Sequence, residues 1–263
     1  MALYCFQRFP RRCAALVISL VLAICTVALL APALHAADED GTIVLPPGFV
    51  AAEIGGLNLP TDMAFLPDGK LLVVEKGTGN GPDGVGAIRL VVDGQVRAEP
   101  VMTLATNPNG DSGLLGLAID PNFASNGFIY VWHATGSGSL NWGGETRNRL
   151  SRFMLDRSSY TIDPATERIV LDDVPWALMH NGGGMAFDAS GLLYLAVGDA
   201  TNMDAPQTAG SFGGKLLRFR PTPNGYTVPA NNPFVGEEEA LDEVYSLGLR
   251  NPFRKTTKVR AKH

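Results

Sequence analysis

Asp62-Met-Ala-Phe-Leu-Pro-Asp-Gly-Lys-Leu-Leu-Val-Val-Glu75 reads as a strand, a turn and a second strand. Pro67-Asp-Gly69 has the residues a tight turn needs, and Leu71–Val74 is an unbroken apolar run that suits a strand covered on both faces. The unit recurs in Gly116-Leu-Ala-Ile-Asp-Pro-Asn-Phe123 with Gly127-Phe-Ile-Tyr-Val131. It appears again in Gly184-Met-Ala-Phe-Asp-Ala-Ser-Gly-Leu-Leu-Tyr-Leu-Ala-Val197. Anchored on Ala64, Ala118 and Ala186, the spacings are 54 and 68 residues. Further strand-like runs follow each unit. Ala87–Val92 turns at Asp93-Gly94 into Gln95–Leu104, Arg149–Leu155 precedes Ile169–Leu171, and Lys215–Phe219 precedes Tyr226–Val228. Four strands per unit at this spacing, with no sustained helical periodicity after the first 36 residues, predict an all-β propeller. Glu243–Gly248 reads as the first strand of a fourth unit. About three and a half blades are therefore expected, in an architecture that closes with about 4–8.

The composition agrees with that reading. Of 263 residues 46% are hydrophobic and 18% charged, with 30 Gly and 18 Pro. The chain is too apolar for disorder and too rich in turn formers for a helical bundle. Net charge is −5, unevenly spread. Three of the 21 basic residues lie in 1–36 and six in 250–263, while all 26 acidic residues lie between. Residues 37–249 thus carry 12 basic residues and a net charge of −14. Phosphate backbones would repel such a body, which argues against a nucleic-acid partner.

Residues 1–36 read as an address. Arg8, Arg11 and Arg12 precede an apolar run from Ala14 to Leu30, followed by Ala31-Pro-Ala-Leu-His-Ala36. A basic start, an apolar middle and a small-residue end form a secretory signal, with cleavage expected between Ala33 and Ala37. An uncleaved anchor is the alternative, since the apolar run is at the lower length limit for crossing a bilayer. The expected location is periplasmic or secreted, with no stable membrane partner after cleavage. Cys5, Cys13 and Cys25 all lie in this segment, so the processed chain would have no cysteine for disulfides, thiol chemistry or metal binding.

Few residues carry candidate chemistry. His180 opens His180-Asn-Gly-Gly-Gly-Met185 directly before a strand, where small neighbours leave space for a ligand. Asp199 ends the following strand, so one hairpin could bring its carboxylate to the imidazole and fix the tautomer. The same two residues also read as a loop histidine and a turn-capping aspartate. Arg250 closes the strand Val244–Leu249. There it could hold an anion or polarise a carbonyl, or equally serve as a surface ion-pair partner. His133 reads as a structural strand-end residue. Trp132, Trp142 and Trp176 read as blade packing.

In order, several stretches resemble the glucose/sorbosone dehydrogenase family, the soluble quinoprotein aldose dehydrogenases. They are Leu59–Gly69, Gly113–Pro121, Asn148–Phe153, His180–Asp199, Gly214–Phe219 and Val244–Arg254. The resemblance covers residues 43–254. It implies a six-bladed propeller that binds pyrroloquinoline quinone (PQQ) and calcium and oxidises aldose sugars, with an unspecified electron acceptor. His180 aligns with the family's base and Asp199 with the carboxylate that orients it. Arg250 and Asn251 align with residues at the quinone carbonyls. Asp111 stands where the family has Gln or Glu in contact with the cofactor. The family's further basic cofactor ligands and calcium ligands follow the Arg250-Asn251 motif. Residues 255–263 form a basic tail without a second-half motif. The resemblance therefore implies a member truncated after its first half, with residues 37–254 as a partial propeller that is inactive alone. A non-catalytic secreted propeller that acts as a binding module is the alternative function.

Overall fold

The computed structural model describes residues 45–79, 84–135 and 146–254. Residues 1–36, read above as an address, the tail 255–263 and Trp142 lie outside the described residues. The chain divides into two compact units, Met1–Ala52 and Glu53–His263. In the first, the described residues 45–52 hold a turn and no strand. The second contains three antiparallel sheets.

The first sheet holds β1 (Pro60–Phe65), β2 (Leu71–Thr78), β3 (Val85–Val92) and β5 (Met102–Ala105), with β4 (Gln95–Val96) folding back on the end of β3. The second holds β6 (Leu114–Ile119), β7 (Phe128–Thr135), β8 (Arg147–Asp156) and β10 (Arg168–Val174), with β9 (Thr161–Ile162) on the end of β8. The third holds β11 (Met185–Phe187), β12 (Leu193–Val197), β13 (Lys215–Thr222) and β15 (Val244–Ser246), with β14 (Gly225–Thr227) on the end of β13. Each sheet is therefore a four-stranded blade whose third strand carries a short extra hairpin. The first strands β1, β6 and β11 neighbour one another in succession, as the inner strands of propeller blades do.

The repeated turn has the same cause in each blade. Gly69 N–H donates to the Leu66 carbonyl and Gly191 N–H to the Asp188 carbonyl, and both glycines have positive φ, +87° and +80°. In the second blade a four-residue helix, Phe123–Asn126, widens the turn and ends at Gly127 with φ +68°. Left-handed backbone at these points favours glycine.

Burial on both faces explains the uninterrupted apolar runs. On β7, Ile129 and Val131 join the core shared with the first blade, while Tyr130 and Trp132 join the core shared with the third. On β2, Leu72 and Val74 face the second blade, and Leu71 and Val73 form a smaller cluster with Val91 on the other face. Blade contacts also include polar ties. Asp62 on β1 accepts from the Leu117 N–H of β6 at 2.9 Å, and the Thr61 hydroxyl donates to the Leu114 carbonyl at 2.8 Å.

The all-β propeller expectation holds, with one reassignment. Val244–Ser246 does not begin a fourth blade. It pairs antiparallel with β13, Leu217 opposite Val244, as the outer strand of the third blade. Tyr226, expected on that outer strand, instead lies on the short hairpin strand β14. The physical reason is that Val244 is fully buried against the third blade's own core, beside Leu217 and Phe219. The described residues thus form three blades.

Candidate functional site

Loops at the strand ends of the second and third blades position the site. The loop Pro175–Gly184 leads from β10 to β11 and carries His180. Asp199 lies two residues beyond the end of β12, and Arg250 and Asn251 follow β15. The segments are tied through their backbones: Ala200 N–H donates to the His180 carbonyl at 3.1 Å, and Asp199 N–H to the Arg250 carbonyl at 2.8 Å. Gly198 makes this packing possible, because a Cβ there would stand 1.9 Å from the His180 carbonyl oxygen.

His180 Nδ1 lies 2.8 Å from Asp199 Oδ1, and both side chains are largely buried. The same Asp199 oxygen accepts from Thr201 N–H at 2.8 Å, which fixes the carboxylate. A carboxylate on Nδ1 places the ring proton there and leaves Nε2 with its lone pair, the arrangement a general base needs. No partner engages Nε2 among the described residues. His180 itself has φ +66°, uncommon for a side-chain-bearing residue.

Arg250 is exposed and shares the wall of a shallow cavity of about 210 Å³ with Asp199, Pro206, Gln207, Gly248 and Leu249. The Asn251 side chain is partly committed: Oδ1 accepts from Gly182 N–H at 3.1 Å, and Nδ2 donates to Asp111 Oδ2 at 3.3 Å. Asp111 sits three residues before β6. Its carboxylate also accepts from His180 N–H at 2.7 Å and from Asn181 Nδ2 at 3.0 Å. The five residues singled out from the sequence thus lie in one connected network. Asp111 meets protein donors within it.

Four further members were not legible as such in the sequence. Asn181 is buried, accepts from Asn148 Nδ2 at 3.0 Å and donates to the Ala177 carbonyl at 2.7 Å. The Trp132 indole donates to the Asn181 carbonyl at 3.1 Å, so this blade-packing residue also supports the loop. Trp176 is half-buried in that same loop and donates to the Ser112 hydroxyl at 2.6 Å, rather than filling a blade. Position next to His180 was the only signal for Asn181. Asn148, 33 residues from its partner, offered none.

His133 is structural, as expected. It is buried on β7, and Nε2 lies 3.0 Å from the Ser151 hydroxyl, which donates onward to Glu167. Burial, reinforced by nearby Arg149, pushes its pKa down to about 3, so the ring stays neutral.

Successive four-stranded antiparallel blades, with a carboxylate-held histidine on the loop between the second and third, define the class as a β-propeller. The chain belongs to the glucose/sorbosone dehydrogenase family, whose model matches residues 57–260. It is 28% identical over 201 residues to aldose sugar dehydrogenase YliI of Escherichia coli, covering 74% of this chain and 49% of that protein. It is 26% identical over 219 residues to human Hedgehog-interacting protein, covering 76% of this chain and 30% of that one. Among solved structures it resembles the PQQ-bound form of aldose sugar dehydrogenase from Streptomyces coelicolor. That match has a TM-score of 0.58 and 29% identity, and covers 74% of this chain and 52% of the other. The chain spans about half the length of the aldose sugar dehydrogenases it matches.

Proposed function

We propose that this site serves PQQ-dependent oxidation of an aldose sugar to its lactone. The observation that carries the reading is the His180–Asp199 contact, which holds the imidazole with Nε2 available as a base. PQQ, when bound, supplies the two-electron acceptor for the hydride leaving C1 of the sugar. His180 Nε2 takes the proton of the C1 hydroxyl, and Asp199 stabilises the imidazolium that results. Arg250 offsets negative charge developing on the acceptor's oxygens.

The residues present fit the quinone end of such a cofactor. Arg250 is exposed at the cavity wall, and among the described residues one Asn251 Nδ2 proton stays uncommitted after the other meets Asp111. Asp111 is assigned to the cofactor environment by resemblance, and its carboxylate oxygens already accept from three protein donors. Among the described residues no three His, Cys, Asp or Glu side chains converge as a metal ion would need. Calcium therefore rests on the family and enters no step here. Residues 1–36 are read as an export signal, which N-terminal sequencing of secreted material would test. An intact Met1 on the exported protein would favour an anchor.

The test is dye-coupled oxidation of glucose with PQQ and calcium supplied, using the 263-residue chain and a form extended to its relatives' length. The extended form is expected to turn over and the shorter one not to. In the extended form, His180→Ala should lower turnover by roughly 10²–10⁴-fold while PQQ still binds. Near-normal turnover in the variant would remove His180 from the base role. A second reading is a non-catalytic binding module, favoured by the likeness to Hedgehog-interacting protein. An extended form that folds but neither binds PQQ nor oxidises any aldose would support it.

A further inference from the structure

Asp111 lies 69 residues before His180 and 140 before Asn251, yet its carboxylate touches both. Oδ2 accepts from His180 N–H and Asn251 Nδ2, and Oδ1 accepts from Asn181 Nδ2. We propose that Asp111 is a positioning residue: a three-armed clamp that holds the His180 loop in the conformation from which the imidazole meets Asp199. The role rests on the reading of His180 as the base, but the geometry behind it stands apart from sugar chemistry.

The acceptor count supports the assignment. All three partners are donors, and only an acceptor-only group can receive them from both of its oxygens. Each partner is also committed elsewhere in a way that fixes its orientation. Asn251 Oδ1 accepts from Gly182 N–H, so its Nδ2 has to face Asp111. Asn181 Oδ1 accepts from Asn148 Nδ2 and Ala177 N–H, so its Nδ2 is likewise turned toward Asp111. Neither amide can flip without losing bonds on both sides.

The backbone adds a further tie. Asp111 N–H donates to the Leu178 carbonyl at 2.8 Å, and a Cβ at neighbouring Gly110 would stand 1.9 Å from that same oxygen. Segment 110–111 is therefore seated against 178–181 by backbone and side chain together. The clamp acts where support is needed, because His180 occupies left-handed backbone that is costly for a residue other than glycine. Its N–H is held by Asp111 and its carbonyl by Ala200 N–H, so the ring's direction follows from two fixed backbone groups. With the Asp111 arm lost, the loop can relax its φ, and Nδ1 then moves off Asp199.

The test reads the imidazole directly. The full chain has four histidines, His35, His133, His180 and His263, so labelling with ¹⁵N-histidine gives few signals, and His180→Gln identifies the one that matters. The unsubstituted chain is expected to show His180 as a single Nδ1–H tautomer with a slowly exchanging proton. Asp111→Asn places an amide NH₂ against a donor that Asp111 accepted. It should give a mixed tautomer and at least tenfold faster Nδ1 proton exchange, with the circular dichroism of the blades unchanged. A folded Asp111→Asn chain with an unaltered His180 signal would overturn the proposal.

Asn251→Asp provides the second arm should Asp111→Asn fail to fold. It sets a carboxylate against Asp111 Oδ2 near neutral pH, so the same His180 change should appear there. An unaltered His180 signal in that variant would equally overturn the clamp. Intact His180 signals in both variants would sink only the clamp. Normal clamp behaviour without sugar oxidation in the extended form would sink only the functional reading.

Discussion

Gly198 and the carbonyl oxygen of His180 are packed so closely that a Cβ on Gly198 would stand 1.9 Å from that oxygen. The obstruction is backbone, which cannot swing aside as a flexible side chain could. Gly198→Ala should therefore push the His180 loop away from the end of β12, costing about 1–3 kcal/mol of stability, the range seen for overpacking. Urea unfolding measures the cost, and the ¹⁵N-histidine signal reports the displacement. An alanine variant as stable as the parent, with an unchanged His180 signal, would show that the loop accommodates the methyl.

Arg250 should behave differently from His180. Its side chain is at the cavity wall and is assigned to charge on the cofactor, so Arg250→Ala in the extended form should weaken PQQ binding and slow turnover together. Titration with PQQ, followed by dye-coupled rates at saturating cofactor, separates the two effects. Unchanged PQQ affinity would move Arg250 out of the cofactor site.

Acid stability should depend on His133. Its folded pKa is depressed to about 3, against an ordinary value near 6.5. Between those values the unfolded chain binds a proton that the folded chain refuses. Stability from the neutral buried ring is thus fully present above pH 6.5 and falls as the pH drops toward 3, by at most about 1.4 kcal/mol per pH unit for one group. Urea midpoints from pH 7 to pH 4 would show the slope, and His133→Gln should flatten it. An equal slope in the variant would assign the acid sensitivity to other groups.

Strand β1 presents an apolar face. Phe65 is 70% exposed and Met63 64%, with Leu59 exposed close by in sequence. Neighbouring exposed apolar side chains favour association, so the 263-residue chain should self-associate in a concentration-dependent way. Sedimentation velocity should show Phe65→Lys shifting the chain toward monomer. A chain already monomeric at high concentration would contradict this.

The blades were readable in the sequence because their causes are local. Leu71–Val74 is apolar without alternation because both faces of the strand are covered, and Gly69 and Gly191 mark turns that need positive φ. His180 and Asp199 were also within reach, since one hairpin brings together residues 19 apart. The blade to which Val244–Ser246 belongs was not readable. A three-residue strand has the same local signature whether it opens one blade or closes another, and only its pairing with β13 decides.

Asp111 shows the same division more sharply. In the sequence it is one aspartate in a polar loop, named only because a family motif passes through that position. Residue types, turn chemistry and apolar runs depend on neighbours in the chain, and those were enough to bring out the repeating strand unit and to offer His180 and Asp199 as a candidate pair. The joining of Asp111 to Asn181 and Asn251, and of Trp132 to the loop beneath His180, came only with folding. Those contacts cross between blades, and a hydrogen bond over 49 to 140 residues leaves no local pattern in the chain that forms it.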